Sequence, residues 1–127
     1  MKKNKFYICP HCGNIVEMVD DAGVVPACCG DDMLELIPGS VEASGGKHIP
    51  VVTVQENTVE VNVGSVDHPM VEGHWIDWVQ LVTSKSSYRK NLKPGENPKV
   101  TFRLNDEKPL AVYAYCNLHG LWETELQ

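Results

Sequence analysis

Downstream of residue 46 the chain alternates apolar and polar residues with period two, the mark of half-buried strands. Val52 and Val54 alternate with Thr53 and Gln55, and Val59, Val61 and Val63 alternate with Glu60 and Asn62, which predicts a hairpin turning at Glu56-Asn57. Trp75 to Val82 is nearly all apolar and reads as a central strand. Val100, Phe102 and Leu104 form one face of a fourth strand. Leu110, Val112 and Ala114 line a fifth, whose same face continues to Cys116, and Trp122, Thr124 and Leu126 read as a final strand. The runs are separated by turn clusters such as Pro94-Gly95-Glu96-Asn97-Pro98 and Asp106-Glu107-Lys108-Pro109. No segment shows sustained helical periodicity, so the expectation is a mainly β chain whose larger part, residues 38–127, is an immunoglobulin-like antiparallel β-sandwich.

Residues 1–37 follow another logic. Ile8, Ile15, Val16, Val24, Val25, Leu34 and Leu36 are too few for a large core, and they are expected to flank short strands or a dimer contact. Segments this short fold with the help of a metal or disulfides. Cys9-Pro10-His11-Cys12 is a C-x-x-C knuckle followed by Gly13, a small residue that lets backbone amides turn toward the sulfurs. Its counterpart, Cys28-Cys29, follows after fifteen intervening residues. Four thiolates in so short a segment predict a tetrahedral site for zinc or iron. Adjacent cysteines reach one metal less easily than C-x-x-C does, so the site is expected to be distorted. His11 is expected to be a solvated bystander, because four sulfurs already fill the tetrahedron. Pro38-Gly39-Ser40 reads as the boundary between the two parts, and Ala43-Ser44-Gly45-Gly46 as a flexible loop.

The 127 residues carry a net charge of −6, which argues against nucleic acid or an anionic membrane as the main partner. No apolar run approaches the length of about 20 residues that a membrane-spanning helix needs. Phe6-Tyr7-Ile8 is too short for a signal-peptide core, so a cytoplasmic location is expected. Five cysteines, an odd number, fit metal ligation in a reducing compartment better than a disulfide framework.

A second set of ligands lies in the β part. Cys116 should stand where a strand stops and His119 on the tight turn beyond it. His48, His68 and His74 each lie at the edge of a predicted strand. A lone histidine is more often an ordinary residue, and a buried cysteine often packs as a small hydrophobe. Five such side chains at element ends of one β domain are instead where sites are built. Five protein ligands overfill the tetrahedral preference of zinc and leave an octahedral ion one open position.

Taken together, Cys9-Pro10-His11-Cys12-Gly13-Asn14, Cys28-Cys29, Lys47-His48-Ile49-Pro50-Val51, His68-Pro69-Met70 with His74, and Cys116-Asn117-Leu118-His119-Gly120 resemble the desulfoferrodoxins, the two-iron superoxide reductases, along nearly the whole chain. The resemblance implies a desulforedoxin-like FeCys4 centre on Cys9, Cys12, Cys28 and Cys29. It also implies a square-pyramidal iron with His48, His68, His74 and His119 in the plane and Cys116 axial, and a homodimer reduced by rubredoxin or a similar electron donor. The implied reaction is inner-sphere, one-electron reduction of superoxide to hydrogen peroxide at the open position. Lys47 is the expected catalytic residue, because an acidic protein needs a local positive charge to steer an anion and to orient the water that delivers a proton. Relatives commonly carry a glutamate before that lysine, where this chain has Gly46, so the oxidised site is expected to take water, hydroxide or an external anion unless Glu42 swings in. The alternatives are a non-catalytic iron carrier of rubredoxin type and a zinc-stabilised binding module.

Overall fold

The computed structural model describes residues 4–126. The chain divides into two compact units, Met1–Ile37 and Pro38–Gln127. The first unit is built from five very short strands: β1 (Phe6–Ile8), β2 (Ile15–Glu17), β3 (Ala27–Cys28), β4 (Asp31–Asp32) and β5 (Leu34–Glu35). β1 lies between β2 and β5, and β3 pairs with β4 in a separate hairpin. Among the described residues its buried apolar set is small, Phe6 together with the cluster of Tyr7, Cys9 and Met33, against which Met18 and Cys28 pack. So little apolar contact leaves this unit dependent on cross-linking by its cysteines.

The second unit carries one helical turn, α1 (Gly45–His48), and seven strands: β6 (Pro50–Gln55), β7 (Thr58–Val63), β8 (Ile76–Thr83), β9 (Ser87–Asn91), β10 (Lys99–Arg103), β11 (Pro109–Cys116) and β12 (Gly120–Glu125). They form a three-stranded sheet, β10-β7-β6, and a four-stranded sheet, β12-β11-β8-β9, in which all pairings are antiparallel. The inward residues of the two sheets share one core: Val59, Val61 and Val63 with Val100 and Phe102 from the first, and Ile76, Val79, Leu81, Val112, Ala114 and Cys116 from the second.

Most of the predicted strands are found, and the hairpin turns at Glu56-Asn57 with Glu56 at φ +48°. Two expectations change. The supposed flexible loop at Gly45-Gly46 is a helical turn, so His48 ends a helix rather than opening a strand, and β6 begins at Pro50. β9 was not predicted, because Ser87-Tyr88-Arg89-Lys90-Asn91 is polar on both faces. It is an edge strand, paired only with β8, so it buries no alternating face.

The turn α1 is fastened where β7 ends. The Gly46 carbonyl accepts from Val66 N at 2.9 Å and from Ser65 Oγ at 3.1 Å. Gly64 makes this approach possible, since a Cβ there would lie 2.8 Å from the Gly46 oxygen and 2.9 Å from the Ile49 oxygen. The same end of the two-sheet body holds the start of β8, the end of β11 and the start of β12, so five element ends converge there.

Candidate metal centres

In the first unit Cys9, Cys12, Cys28 and Cys29 bring their sulfurs within 4.8 Å of one another. Cys12 and Cys28 are 3.7 Å apart and Cys28 and Cys29 3.9 Å, far too long for a disulfide. A tetrahedron with metal–sulfur bonds of about 2.3 Å has edges of about 3.8 Å, so the spacing is that of a four-sulfur metal site. The adjacent cysteines reach it because Cys29 adopts φ +53°, the left-handed conformation that non-glycine residues seldom take. The knuckle forms as its sequence requires. Gly13 turns at φ +80°, and the amides of His11 and Cys12 both donate to Cys9 Sγ at 3.4 Å. Chiefly through the Cys12 amide, this lowers the Cys9 thiol to about 6, while hydrogen bonding to Cys12, Cys28 and Cys9 pushes Cys29 up to about 12. The group therefore shares protons that a cation displaces on binding. His11 stays outside the sulfur group, but it is more than a solvated bystander: its Nε2 lies 2.5 Å from Asp31 Oδ2 and ties the knuckle to β4.

In the second unit the four histidine rings stand at the corners of a square. Centroid distances run 4.6 Å from His48 to His68, 4.7 Å from His68 to His74, 5.2 Å from His74 to His119 and 5.0 Å from His119 to His48, and the diagonal from His48 to His74 is 6.5 Å. Neighbouring rings are near perpendicular, at 75° to 89°. His48 Nε2 is 3.1 Å from His68 Nε2 and 3.2 Å from His119 Nδ1. Adjacent nitrogens held about 2.1 Å from one ion at right angles would be about 3.0 Å apart. His48, His68, His74 and Cys116 offer ligand atoms within 4.8 Å of one another, and His119 Nδ1 joins them 4.0 Å from Cys116 Sγ.

Backbone carbonyls orient two of the rings. His48 Nδ1–H donates to the Ser44 carbonyl at 2.6 Å, and His68 Nδ1–H to the Pro69 carbonyl at 2.6 Å, so both rings turn Nε2 inward. The inward Nε2 of His74 is buried and without a hydrogen-bond partner, as a nitrogen reserved for a metal would be. Burial lowers His48 and His74 and brings His68 down to about 4, which keeps these imidazoles in the neutral, metal-binding form. Burial also raises Cys116, against the pull of the Leu118 and His119 amides. Cys116 is fully buried and His48 and His68 nearly so, whereas His74 and His119 are half-buried, so the sulfur lies on the core side of the group and the group is exposed on the side of His74 and His119. Lys47, the residue before His48, is exposed, and its charge contributes to lowering both His48 and His74. Glu42 is exposed.

Two supporting residues carry no signal in the sequence that sets them apart from ordinary polar and aromatic positions. Asn117 accepts from Trp75 N at 2.8 Å, donates through Nδ2 to Gly73 O at 2.9 Å and through its own amide to Trp75 O at 3.2 Å, clamping both neighbours of His74. Trp122 stacks on His48 at 4.9 Å, and its indole N–H donates to the His119 carbonyl at 3.1 Å.

Two donor groups, one of four thiols and one of four imidazoles with a thiol, are thus present in one chain, a set consistent with two iron centres. Comparison with known proteins agrees. Residues 40–125 match the family model described as Desulfoferrodoxin. The chain is 45% identical over 121 residues to the desulfoferrodoxin of Nitratidesulfovibrio vulgaris, covering 95% of each chain, and 43% identical over 124 residues to that of Syntrophotalea carbinolica, covering 98% of each. Among solved structures, the superoxide reductase from Treponema pallidum superposes with a TM-score of 0.81 at 38% identity, over 98% of this chain and 100% of that one. On its sequence, its fold and its two donor groups, the chain belongs to the desulfoferrodoxin family.

Proposed function

We propose that the chain is a superoxide reductase, reducing superoxide by one electron to hydrogen peroxide at the centre of four histidines and Cys116, with the four-cysteine centre accessory to it. The observation that carries this reading is the square of four imidazoles with a buried thiol on one side, a five-donor set that leaves an octahedral ion one open position. When bound, iron would supply the electron and the open position. Cys9, Cys12, Cys28 and Cys29 would hold one ion, and His48, His68, His74, His119 and Cys116 the other. A pure electron carrier needs no open position, so the carrier reading is not favoured.

The chain's own residues account for the rest. The Ser44 and Pro69 carbonyls hold His48 and His68 with Nε2 inward, and burial keeps both rings neutral, so they act as ligands and not as acids. The core walls off the Cys116 side, which directs substrate to the outer face. There Lys47 supplies a positive charge in an acidic protein, drawing superoxide in and holding the water that delivers a proton. With Gly46 in place of a glutamate, no carboxylate stands at that position to close the open site. Water, hydroxide or an external anion would fill it in the oxidised state.

The same reading assigns residues 1–37 to a desulforedoxin-like module and 38–127 to an immunoglobulin-like domain, supported by the three- and four-stranded sheets sharing one core. It includes a homodimer, supported by the exposed Val16, Val19, Val24, Val25, Leu34 and Ile37 of the first unit, and a rubredoxin-like donor in a cytoplasmic detoxification role. The test is product stoichiometry with the iron-loaded, reduced protein. One peroxide per superoxide with no dioxygen is expected, whereas half a peroxide with half a dioxygen would make the site a dismutase and overturn the proposal.

A further inference from the structure

Charge is distributed very unevenly along this acidic chain. Residues 85–108 hold seven of its eleven Lys and Arg but only three of its seventeen Asp and Glu. The seven are Lys85, Arg89, Lys90, Lys93, Lys99, Arg103 and Lys108, and all are exposed. Among the described residues none of them forms an ion pair with a carboxylate. The fold gathers them on one edge. β9 is the last strand of the four-stranded sheet and β10 the last of the three-stranded sheet. The two meet where Tyr88 lies 6.4 Å from Phe102 and Lys90 Nζ sits 5.8 Å over the Phe102 ring. A cleft of ≈ 570 Å³ opens there, lined in part by Lys90, Asn91, Glu96, Asn97, Lys99 and Thr101. The one carboxylate, Glu96, is engaged in its own turn, accepting from Lys93 N at 2.7 Å.

This edge is wired to the histidine centre. The turn between β9 and β10 donates from Gly95 N to the Met70 carbonyl at 2.7 Å. Met70 follows Pro69, whose carbonyl accepts from His68 Nδ1 at 2.6 Å, and the other nitrogen of His68 faces His48 at 3.1 Å. Two hydrogen bonds and a short covalent run therefore join the basic turn to the inward nitrogen of a candidate ligand.

We infer that the β9–β10 edge, centred on Lys90, Lys93 and Lys99, is the docking surface for a small acidic one-electron carrier protein, whose electron enters the centre through Gly95, Met70, Pro69 and His68. The inference rests on the proposed redox function. In each transfer the carrier's centre would lose one electron, and an iron held by His48, His68, His74, His119 and Cys116 would gain it. Charge complementarity selects a compact acidic partner. A long nucleic acid would also meet the acidic remainder of the chain and be repelled by it.

The test uses the iron-loaded full chain in its oxidised state and reduced rubredoxin of net negative charge as probe, mixed rapidly at low salt. In the triple variant Lys90→Glu, Lys93→Glu, Lys99→Glu, electron transfer from rubredoxin should fall at least about tenfold and lose its salt dependence. The variant, once reduced chemically, should react with superoxide as the unaltered protein does. Carbodiimide cross-linking of unaltered protein to rubredoxin, followed by peptide mapping, gives a readout independent of activity and of the variant's folding. Cross-links at Lys90, Lys93 or Lys99 are expected. Unchanged transfer in the variant, cross-links confined to other lysines, or displacement of rubredoxin by an equal concentration of a DNA duplex would overturn the inference. Cross-links at these lysines in a protein whose reduced form ignores superoxide would instead overturn the functional reading and leave the docking surface standing.

Discussion

A fully buried thiol, Cys116, belongs to the donor group, and an exposed lysine, Lys47, directly precedes His48; the chemistry expected of each follows from its burial. Lys47 is the positive charge next to His48 on a chain of net charge −6, and in the proposed reaction its field would draw the incoming anion to the histidine centre. Replacing it with alanine should slow the superoxide reaction several-fold to about tenfold at low ionic strength and flatten its salt dependence, as read by rapid mixing across a salt series. An unchanged rate would remove the steering role. The two donor groups were legible because imidazole and thiol carry their chemistry in their identity, wherever they lie in sequence. The ring nitrogens were not, since Nε2 for His48 and His68 follows from the Ser44 and Pro69 carbonyls, which only the fold brings into place. Asn117 and Trp122 were invisible for the same reason. Their function lies in partners 42 and 74 residues away, Trp75 and His48.

At the scale of elements, the period-two runs announced the strands that bury one face, and the edge strand β9 and the turn α1 escaped because neither buries an alternating face. The loop from His68 to His74 has no regular structure beyond the Val71–His74 bridge, so its geometry rests on bonds from outside it: His68 N to the Val63 carbonyl, Gly95 N to the Met70 carbonyl and, at the His74 end, the Asn117 clamp. Asn117→Ala should weaken metal retention at the histidine centre by about tenfold to a hundredfold while leaving the cysteine centre loaded, measured by chelator competition. Loss of metal from both centres alike would assign Asn117 to general folding. A second staple joins the β8–β9 and β10–β11 turns. The Glu107 carboxylate accepts from Thr83 Oγ1 at 2.5 Å, from the Tyr88 hydroxyl and from Asn105 N at 2.9 Å, and these bonds, that of Thr83 foremost, hold its carboxyl down at about 2 against an ordinary 4.5. A carboxylate depressed on folding contributes stability that is fully present above about pH 4.5 and is lost as pH falls toward 2. Glu107→Gln should therefore be less stable at neutral pH and show a shallower loss between pH 4.5 and 2 in denaturant titrations. Parallel acid profiles for the two proteins would contradict the staple.

Over the whole molecule, two compact units each carry one donor group, and they differ in how they are held. The second has an extended apolar core, and its five donors sit at the end of a scaffold that folds for its own reasons. Among the described residues the first buries only a small core, Phe6, Tyr7, Cys9 and Met33, so its sulfur group and its fold are one problem. In the proposed function the five-donor centre keeps a position where superoxide reacts. The most direct measurement is rapid mixing of the reduced, two-iron protein with superoxide while following visible absorption. A thiolate-to-ferric band rising at near-diffusional rate, and absent in Cys116→Ser, is the predicted result. Two bound irons with no absorbance change on mixing would mean that the centre is closed to superoxide and that the protein is not a superoxide reductase.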